Sequence, residues 1–259
     1  MADIYNINQK LTEKEYKFPK VLIAAPQHES KKYCWEEWSK RVDSLTYPNC
    51  KVYIAENSES DDFRNYIKEN HPTYVCEKIG VNIPSVLGRT TEAHDACRKY
   101  ALRNNFDYML HLETDVIPPI DVIERLLYSK KQVIGAVYDI FHGKMRKSMV
   151  QTNEPLDRSY RAYRVVPFVE HEEPLFFDGT VKKVYHLGIG CVLISNYVMN
   201  KIPFRVDLNN IYHADTWFAS DCFQKDIPIY ADTSIMCKHL NGTWLDSIEE
   251  ILKPLTNKK

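Results

Sequence analysis

The sequence predicts an α/β protein built on a mostly parallel, Rossmann-like sheet with helices on its faces. From Lys20 to Tyr138, short apolar runs that suit inner strands alternate with segments of helical spacing, in the order βαβαβαβαβ. Carboxylates at Glu56, Glu113 and Asp115 directly follow two of these strands. The carboxyl ends of parallel strands share one sheet edge, where α/β proteins bind ligands. A chain of 259 residues is long enough to bury the core of one such domain.

The alternation of strands and helices is clearest in the first half of the chain. The run from Lys20 to Pro26 is continuously apolar, as inner parallel strands are, and a proline ends it. From Lys32 to Leu45 apolar and aromatic residues recur at helical spacing, which predicts a helix. Thr90 or Thr91 is the expected cap of a later helix. The same patterns predict strands at 50–55, 74–77, 108–112 and 132–138, and helices at 63–70, 91–104 and 119–128.

The pattern loosens between residues 139 and 180, where a basic, tyrosine-containing stretch at 144–164 precedes an acidic one. We interpret this segment as an insertion or hairpin with a solvated, mixed-charge surface. The remaining elements are predicted as strands at 181–185, 191–195 and 227–231, and helices at 196–202 and 214–225. The predicted organisation is an N-terminal arm at 1–18, one domain at 19–240, and a tail at 241–259 with an amphipathic helix at 244–252.

Composition narrows the class of protein. Charged residues make up 27% of the chain and the net charge is -1, which excludes a disordered chain and a globally basic one. The seven cysteines are scattered and none forms a C-x-x-C pair, so we expect reduced thiols in a cytoplasmic protein, without a zinc or disulfide framework. The polar N-terminus does not resemble a signal peptide, and no apolar run reaches the roughly 20 residues of a membrane span.

The most informative stretch runs from Phe106 to Pro119. It predicts a buried strand at 108–112 that ends in two carboxylates, Glu113 and Asp115, separated by Thr114. The prolines at 118 and 119 prevent the stretch from continuing as an inner strand. Carboxylates at this edge suit a hard cation such as Mg²⁺ or Mn²⁺, and such a cation suits a diphosphate.

These features resemble the nucleotide-sugar-dependent glycosyltransferases of the GT-A fold, in particular the inverting, family-two-like group. The resemblance covers about residues 19–240 and rests on the segments Ala25-Pro26, 45–49, 56–62, 93–98, 113–115 and 187–191. It implies a metal-dependent enzyme that moves a sugar from a UDP- or GDP-linked donor to a hydroxyl group of a glycan, a lipid-linked molecule or another acceptor. It also implies inversion at the anomeric carbon.

The resemblance further implies roles for individual residues. Asp215 would be the general base, with Asp221 as the alternative, and His94 and Asp95 replace an Arg-Asn pair of the family. The residues implied in donor binding are Ala25, Pro26, Glu56, Asn57, Arg89, Glu113 and Thr114. Those implied in binding Mn²⁺ or Mg²⁺ are Asp115, Glu113 and His239. Those implied in acceptor binding are Gly188, Ile189, Gly190 and Trp217.

Purely structural roles compete with several of these assignments. Glu56 and Asp215 are each suited to capping a helix, and Arg89 is suited to a surface ion pair. A lone histidine such as His239 is usually structural, and Gly188 and Gly190 are also typical of a tight turn or a bulge.

Three other functions remain open at this point. A nucleotidyltransferase also combines this type of sheet with acidic metal ligands, although residues 24–30 lack the glycine-rich loop it needs and it would release pyrophosphate. A non-catalytic nucleotide-sugar-binding protein would bind a donor without turnover. A transferase acting on modified DNA bases would use the basic stretch 144–164 to hold nucleic acid, which the net charge disfavours.

Overall fold

The computed structural model describes residues 18–80, 82–142, 145–155, 168–170, 173–206 and 213–240. Its strands are β1 (Val21–Gln27), β2 (Cys50–Glu56), β3 (Val75–Lys78), β4 (Tyr108–Leu112), β5 (Val116–Ile117), β6 (Val133–Val137), β7 (Asp139–His142), β8 (Met145–Ser148), β9 (Val150–Gln151), β10 (Val181–Val184), β11 (His186–Leu187), β12 (Cys191–Ser195), β13 (Ile229–Met236) and β14 (Lys238–His239). Its α-helices are α1 (Lys32–Asp43), α2 (Asp62–Asn70), α3 (Val86–Arg103), α4 (Val122–Tyr128), α5 (Asn196–Lys201) and α6 (Ala214–Gln224).

One eight-stranded sheet organises the protein, in the order β10-β13-β6-β12-β4-β1-β2-β3. Strands β1, β2, β3 and β4 pair in parallel. Strand β12 lies antiparallel between β4 and β6, β13 is parallel to β6, and β10 is antiparallel to β13. Six of the eight strands therefore point the same way, which confirms the predicted α/β class with a mostly parallel sheet.

Helices cover both faces of this sheet, because alternate side chains of the inner strands are buried on opposite sides. Leu22 and Ala24 of β1 belong to the core on the face covered by α3, α5 and α6. Val21 and Ile23 belong to the core on the other face, together with Trp35 of α1 and apolar residues of α2 and α4. The helices cover the two faces of the sheet, and the candidate site described below lies at the sheet edge between them.

The structure corrects some of the predicted boundaries. Helix α3 begins at Val86, and its cap is Ser85, whose hydroxyl oxygen accepts a hydrogen bond from the Gly88 N–H at 3.0 Å. The predicted cap at Thr90 or Thr91 is therefore wrong. Strand β13 continues to Met236, five residues past its predicted end at Ala231.

The described part of the predicted insertion contains a hairpin. Strands β7 and β8 pair antiparallel, and β9 pairs with β11. Residues 144 and 156–164 of the basic stretch, the arm up to residue 17 and the tail at 241–259 lie outside the described residues. None of the described helices is long and apolar enough to cross a membrane, and the cytoplasmic location stays a prediction.

Candidate active site

Two carboxylates follow β4 at the carboxyl edge of the sheet. Glu113 donates its N–H to the Gly190 carbonyl at 2.9 Å, and the Val116 N–H returns to the Glu113 carbonyl at 3.0 Å. This tight turn buries the Asp115 side chain, which is 6% exposed, and leaves that of Glu113 24% exposed. Strand β5, which follows the turn, pairs with β14 and brings His239 opposite Val116. The turn after β4 and the pairing of β14 with β5 therefore bring all three predicted metal ligands into one region.

Lys31 lies directly against both carboxylates. Its Nζ is 2.9 Å from Oδ2 of Asp115 and 3.7 Å from Oε2 of Glu113, and its side chain is 27% exposed. Lys31 ends a short 3₁₀ turn, Glu29–Lys31, that follows β1. The Glu29 N–H donates to the Ser58 hydroxyl at 2.8 Å, which fixes the turn to the loop after β2. The Lys31 ammonium therefore lies beside the two carboxylates that the sequence predicts to bind a metal.

His239 approaches the same carboxylate from the other side. Its Nε2 is 3.7 Å from Oδ2 of Asp115, and its Nδ1 donates to the Asp139 carbonyl at 2.8 Å. Burial alone lowers the pKa of His239, but the Asp115 carboxylate outweighs burial and raises this pKa above its ordinary value. The hydrogen bond at Nδ1 leaves Nε2 facing the carboxylates.

Asp215 comes to the site from the first turn of α6. Its Oδ1 accepts a hydrogen bond from the Thr216 N–H at 2.7 Å, and its Oδ2 lies 3.8 Å from Nε2 of His186. The helix cap is His213, so the interpretation of Asp215 as the cap is wrong. Asp215 is close enough to Glu113 to raise the pKa of that carboxyl. We call the group of Glu113, Asp115 and Asp215, with Lys31 and His239 beside it, the acidic edge.

The electrostatics of the acidic edge separate its two neighbouring carboxyls. Burial raises the pKa of Glu113; Lys31 opposes this, and Asp115 and Asp215 add to it. Burial also acts to raise the pKa of Asp115, but Lys31 and His239 reverse the effect and hold it well below its usual range. Burial acts to lower the pKa of Lys31, which the two carboxylates raise instead. Asp115 is therefore ionised and paired with the Lys31 ammonium.

The donor set of the acidic edge suits a divalent cation chemically. Oxygens of Glu113 and Asp115 and an imidazole nitrogen of His239 are ligands that Mn²⁺ accepts, and the two carboxylates also suit Mg²⁺. Oδ1 of Asp115 is buried without a hydrogen-bond partner in the described part of the chain, so one strong acceptor is left over. In the same described ranges, no three His, Cys, Asp or Glu side chains form a metal-binding arrangement. Nζ of Lys31 contacts two members of this donor set, Asp115 at 2.9 Å and Glu113 at 3.7 Å.

The segment Gly188 to Gly190 packs against Tyr138, a residue that sequence reasoning missed. The Gly190 N–H donates to the Tyr138 hydroxyl at 3.1 Å. A Cβ on Gly190 would lie 2.8 Å from the Tyr138 ring, and a Cβ on Gly188 would collide with the Tyr138 hydroxyl and with Met149. Close packing thus explains both glycines. The role of this segment in acceptor binding stays a prediction.

A second carboxylate–lysine pair lies at the end of β2. Glu56 is fully buried; its Oε1 accepts the Ser58 N–H at 2.8 Å, and its Oε2 is 3.2 Å from Nζ of Lys78. Lys78 also donates to the Ser60 carbonyl and lies 3.6 Å from Asp61. Glu56 therefore organises the loop after β2 rather than capping α2.

Four other residues predicted to bind the donor have structural roles. Ala25 and Pro26 are buried inside β1. Thr114 is buried, and its hydroxyl donates to the Gln27 side chain, which joins the ends of β4 and β1. Arg89 donates to the Ile83 and Pro84 carbonyls at 3.1 and 3.0 Å and so fixes the loop before α3.

Asn57 differs from these residues. Its N–H donates to the Gln27 carbonyl at 2.8 Å, while its buried Oδ1 has no hydrogen-bond partner within the described ranges. Donor binding by this residue and by Ala25, Pro26, Arg89 and Thr114 stays a prediction.

The alternative base, Asp221, is already engaged. Both of its carboxylate oxygens accept from the Arg205 guanidinium, at 2.8 and 2.7 Å. The same guanidinium lies 4.1 Å from the ring centre of Trp217, which is buried beneath it. Asp215 is thus the better placed carboxylate of α6, and acceptor binding by Trp217 stays a prediction.

A buried histidine pair lies behind the acidic edge. His111 donates from Nδ1 to the Ile189 carbonyl at 2.6 Å, so its Nε2 accepts from Nδ1 of His94 at 2.8 Å. Asp95 pairs with Arg98 and Lys99 and accepts the Phe204 N–H at 3.1 Å. His94 and Asp95 therefore support the fold from within α3.

Comparisons with known proteins add little. No model of a protein family matches the sequence, and no curated protein matches it. Among solved structures, the chain is similar to the crystal structure of A197 from STIV at 15% identity over 85% of each chain, with a TM-score of 0.47. A likeness this distant supports no statement about function. The fold and the acidic edge define a Rossmann-like α/β protein with a carboxylate-rich site at its sheet edge.

Proposed function

We propose that the protein transfers a sugar from a nucleoside-diphosphate sugar, UDP- or GDP-linked, to an acceptor hydroxyl with inversion. The observation that supports this proposal best is the meeting of Glu113 and Asp115, from the end of β4, with Asp215, from α6. Parallel sheets bind their ligands at this edge. Acids that hold a cation beside a separate carboxylate are what such a reaction requires. The acceptor is a glycan, a lipid-linked molecule or another hydroxyl compound.

Asp115, Glu113 and His239 are the residues that would hold Mn²⁺ or Mg²⁺. When bound, the metal would neutralise charge on the leaving diphosphate. Asp115 is the strongest candidate ligand, because it is ionised and its Oδ1 has no hydrogen-bond partner within the described residues. His239 would contribute Nε2, which the Asp139 carbonyl orients through the hydrogen bond at Nδ1.

Asp215 acts as the general base in this proposal. Its Oδ1 is fixed by the Thr216 N–H, and its Oδ2 is left to take the proton of the acceptor hydroxyl. Burial lowers the pKa of His186, which is therefore neutral at pH 7, and its Nε2 lies 3.8 Å from Oδ2.

Product analysis with a panel of UDP- and GDP-sugars, Mn²⁺ and mixed acceptors tests the proposal. We expect one donor to release its nucleoside diphosphate and to raise the melting temperature in a Mn²⁺-dependent way, and both effects to be lost in Asp115→Ala. Release of pyrophosphate would identify a nucleotidyltransferase instead. Donor binding without product from any acceptor would identify a binding protein.

Substitution of the base gives the second test. We expect Asp215→Asn to lower kcat by about 10²–10⁴-fold while the donor-induced shift in melting temperature persists, because the amide cannot accept the proton. Asp221→Asn is the control and should retain the rate per folded molecule, since that carboxylate is bound by Arg205. Full turnover of Asp215→Asn would exclude Asp215 as the base.

A further inference from the structure

Lys31 contacts two of the three residues that the proposed function assigns to a metal, Glu113 and Asp115. We infer that Lys31 is a displaceable counter-ion, which holds the acidic edge together until a divalent cation takes its place, so that the ammonium and the cation compete for the carboxylates of Glu113 and Asp115. This inference rests on the proposed metal site and identifies the residue that regulates its occupancy.

The geometry shows that Lys31 satisfies the acidic edge only in part. Its Nζ lies at hydrogen-bond distance from Oδ2 of Asp115, 2.9 Å, but 3.7 Å from Oε2 of Glu113. Oδ1 of Asp115, which is buried, has no hydrogen-bond partner in the described part of the chain. An ammonium is a point charge with three donors, whereas a metal ion accepts several oxygen ligands at once. A divalent cation would therefore bind oxygens to which Lys31 makes no hydrogen bond, such as Oδ1 of Asp115.

The charges also favour exchange. Two carboxylates, those of Glu113 and Asp115, face the single ammonium of Lys31, at 3.7 and 2.9 Å. A nucleoside diphosphate would bring further negative charge to the same edge. A dication in place of the single ammonium brings one more positive charge to these acids.

Lys31 is able to leave. Its side chain is 27% exposed, and within the described part of the chain its Nζ has ion-pair contacts with Asp115 and Glu113 only. Lys78 at the end of β2 is different, because its side chain is only 12% exposed and contacts Glu56, Asp61 and the Ser60 carbonyl. A divalent cation could therefore displace Lys31 from its carboxylates, whereas the additional contacts of Lys78 hold it in place.

Mn²⁺ binding in the absence of any donor or acceptor tests the inference, with free Mn²⁺ measured by electron paramagnetic resonance. We expect Lys31→Met to bind Mn²⁺ about tenfold or more tightly than the wild type, because a competing positive charge is gone. Lys31→Arg keeps that charge and should stay within about threefold of the wild type. Lys32→Met, which removes the adjacent, exposed lysine, is the matched control and should not change the affinity.

The double variant Lys31→Met/Asp115→Asn locates the binding site and should lose the tightened affinity. Equal or weaker Mn²⁺ binding by Lys31→Met, or tight binding that survives in the double variant, would overturn the inference. Absence of Mn²⁺ binding in both the wild type and Lys31→Met would overturn it as well. If circular dichroism shows that Lys31→Met is poorly folded, Lys31→Gln repeats the comparison with a polar side chain. Because no sugar donor is present, a failure of the proposed transfer reaction leaves this result unaffected.

Discussion

Two carboxylate–lysine pairs follow neighbouring parts of the same sheet, and they differ in what surrounds them. Glu56 and Lys78 lie 3.2 Å apart after β2, and Asp115 and Lys31 lie 2.9 Å apart after β4. Both members of the first pair have further partners: Glu56 also accepts the Ser58 N–H, and Lys78 also contacts the Ser60 carbonyl and Asp61. The second pair is open, with one carboxylate oxygen unused among the described residues and other acids nearby.

The difference teaches that the distance within an ion pair does not distinguish structure from function. Each pair has one buried carboxylate oxygen without a hydrogen-bond partner among the described residues, but Oε2 of Glu56 lies 3.2 Å from Nζ of Lys78, whereas the ion pair of Asp115 is made through its other oxygen, Oδ2. Satisfied polar groups in a buried network specify one conformation, whereas unsatisfied ones are available to a ligand. We therefore expect substitutions at the first pair to affect stability, and substitutions at the second to affect ligand binding.

The largest expected effect is a difference in the free energy of unfolding lost when the lysine of each pair is replaced. Lys78→Met should lower the free energy of unfolding by about 3–5 kcal/mol, because it leaves the fully buried Glu56 carboxylate without its cation. Mn²⁺ should not restore the loss. Lys31→Met should cost less, because both of its partners lie closer to solvent than Glu56, and saturating Mn²⁺ should recover much of that cost.

Urea unfolding of both variants, with and without Mn²⁺, makes this measurement. Recovery of Lys78→Met by Mn²⁺, or equal losses in the two variants without any metal effect, would contradict the proposed difference between the pairs.

The next effect concerns the packing that supports the acidic edge. Gly190→Ala should destabilise the protein by up to about 3 kcal/mol, since its methyl group would lie 2.8 Å from the Tyr138 ring and from Val116. Thermal or urea unfolding measures the loss. In a Tyr138→Leu background the same substitution should cost clearly less, and an unchanged cost would show that Tyr138 is not the obstacle.

The smallest effect is a pH dependence from the histidine pair. Burial lowers the pKa of His111 to about 4, from an ordinary value near 6.5, and burial together with His111 also lowers that of His94. Between these pH values the unfolded chain binds protons that the folded chain excludes. The free energy of unfolding should therefore fall as pH decreases from about 6.5 to about 4, with His111 alone accounting for about 2 kcal/mol at pH 5.

Urea unfolding at pH 8 and pH 5 measures this difference, and His111→Gln should reduce it. His28→Asn, which keeps an acceptor for the Ser30 N–H, is the control and should leave the difference as in the wild type. A pH dependence identical in His111→Gln and the wild type would show that the buried pair does not contribute to it.

Most strands and helices could be predicted from local pattern, as could the carboxylates at the end of β4. Apolar periodicity is a property of the sequence alone, so β1, α1 and β4 were found within one or two residues at their predicted positions. Helix α3 begins five residues before the predicted start at Thr91, because the Ser85 hydroxyl caps it by accepting the Gly88 N–H. The position of β12, antiparallel between β4 and β6, could not be predicted, because no pattern within the β12 segment specifies which strands it pairs with.

By itself the sequence determined the α/β class and the carboxylates Glu113 and Asp115, because both follow from short-range patterns of apolar and acidic residues. Only the tertiary structure decided that Lys31, 82 and 84 positions away in sequence, lies between those carboxylates, that Lys78 closes the Glu56 site, and that Tyr138 fills the space above the glycines. The physical reason is that charge pairing and close packing depend on distances across the sheet edge, which spacing along the chain does not encode.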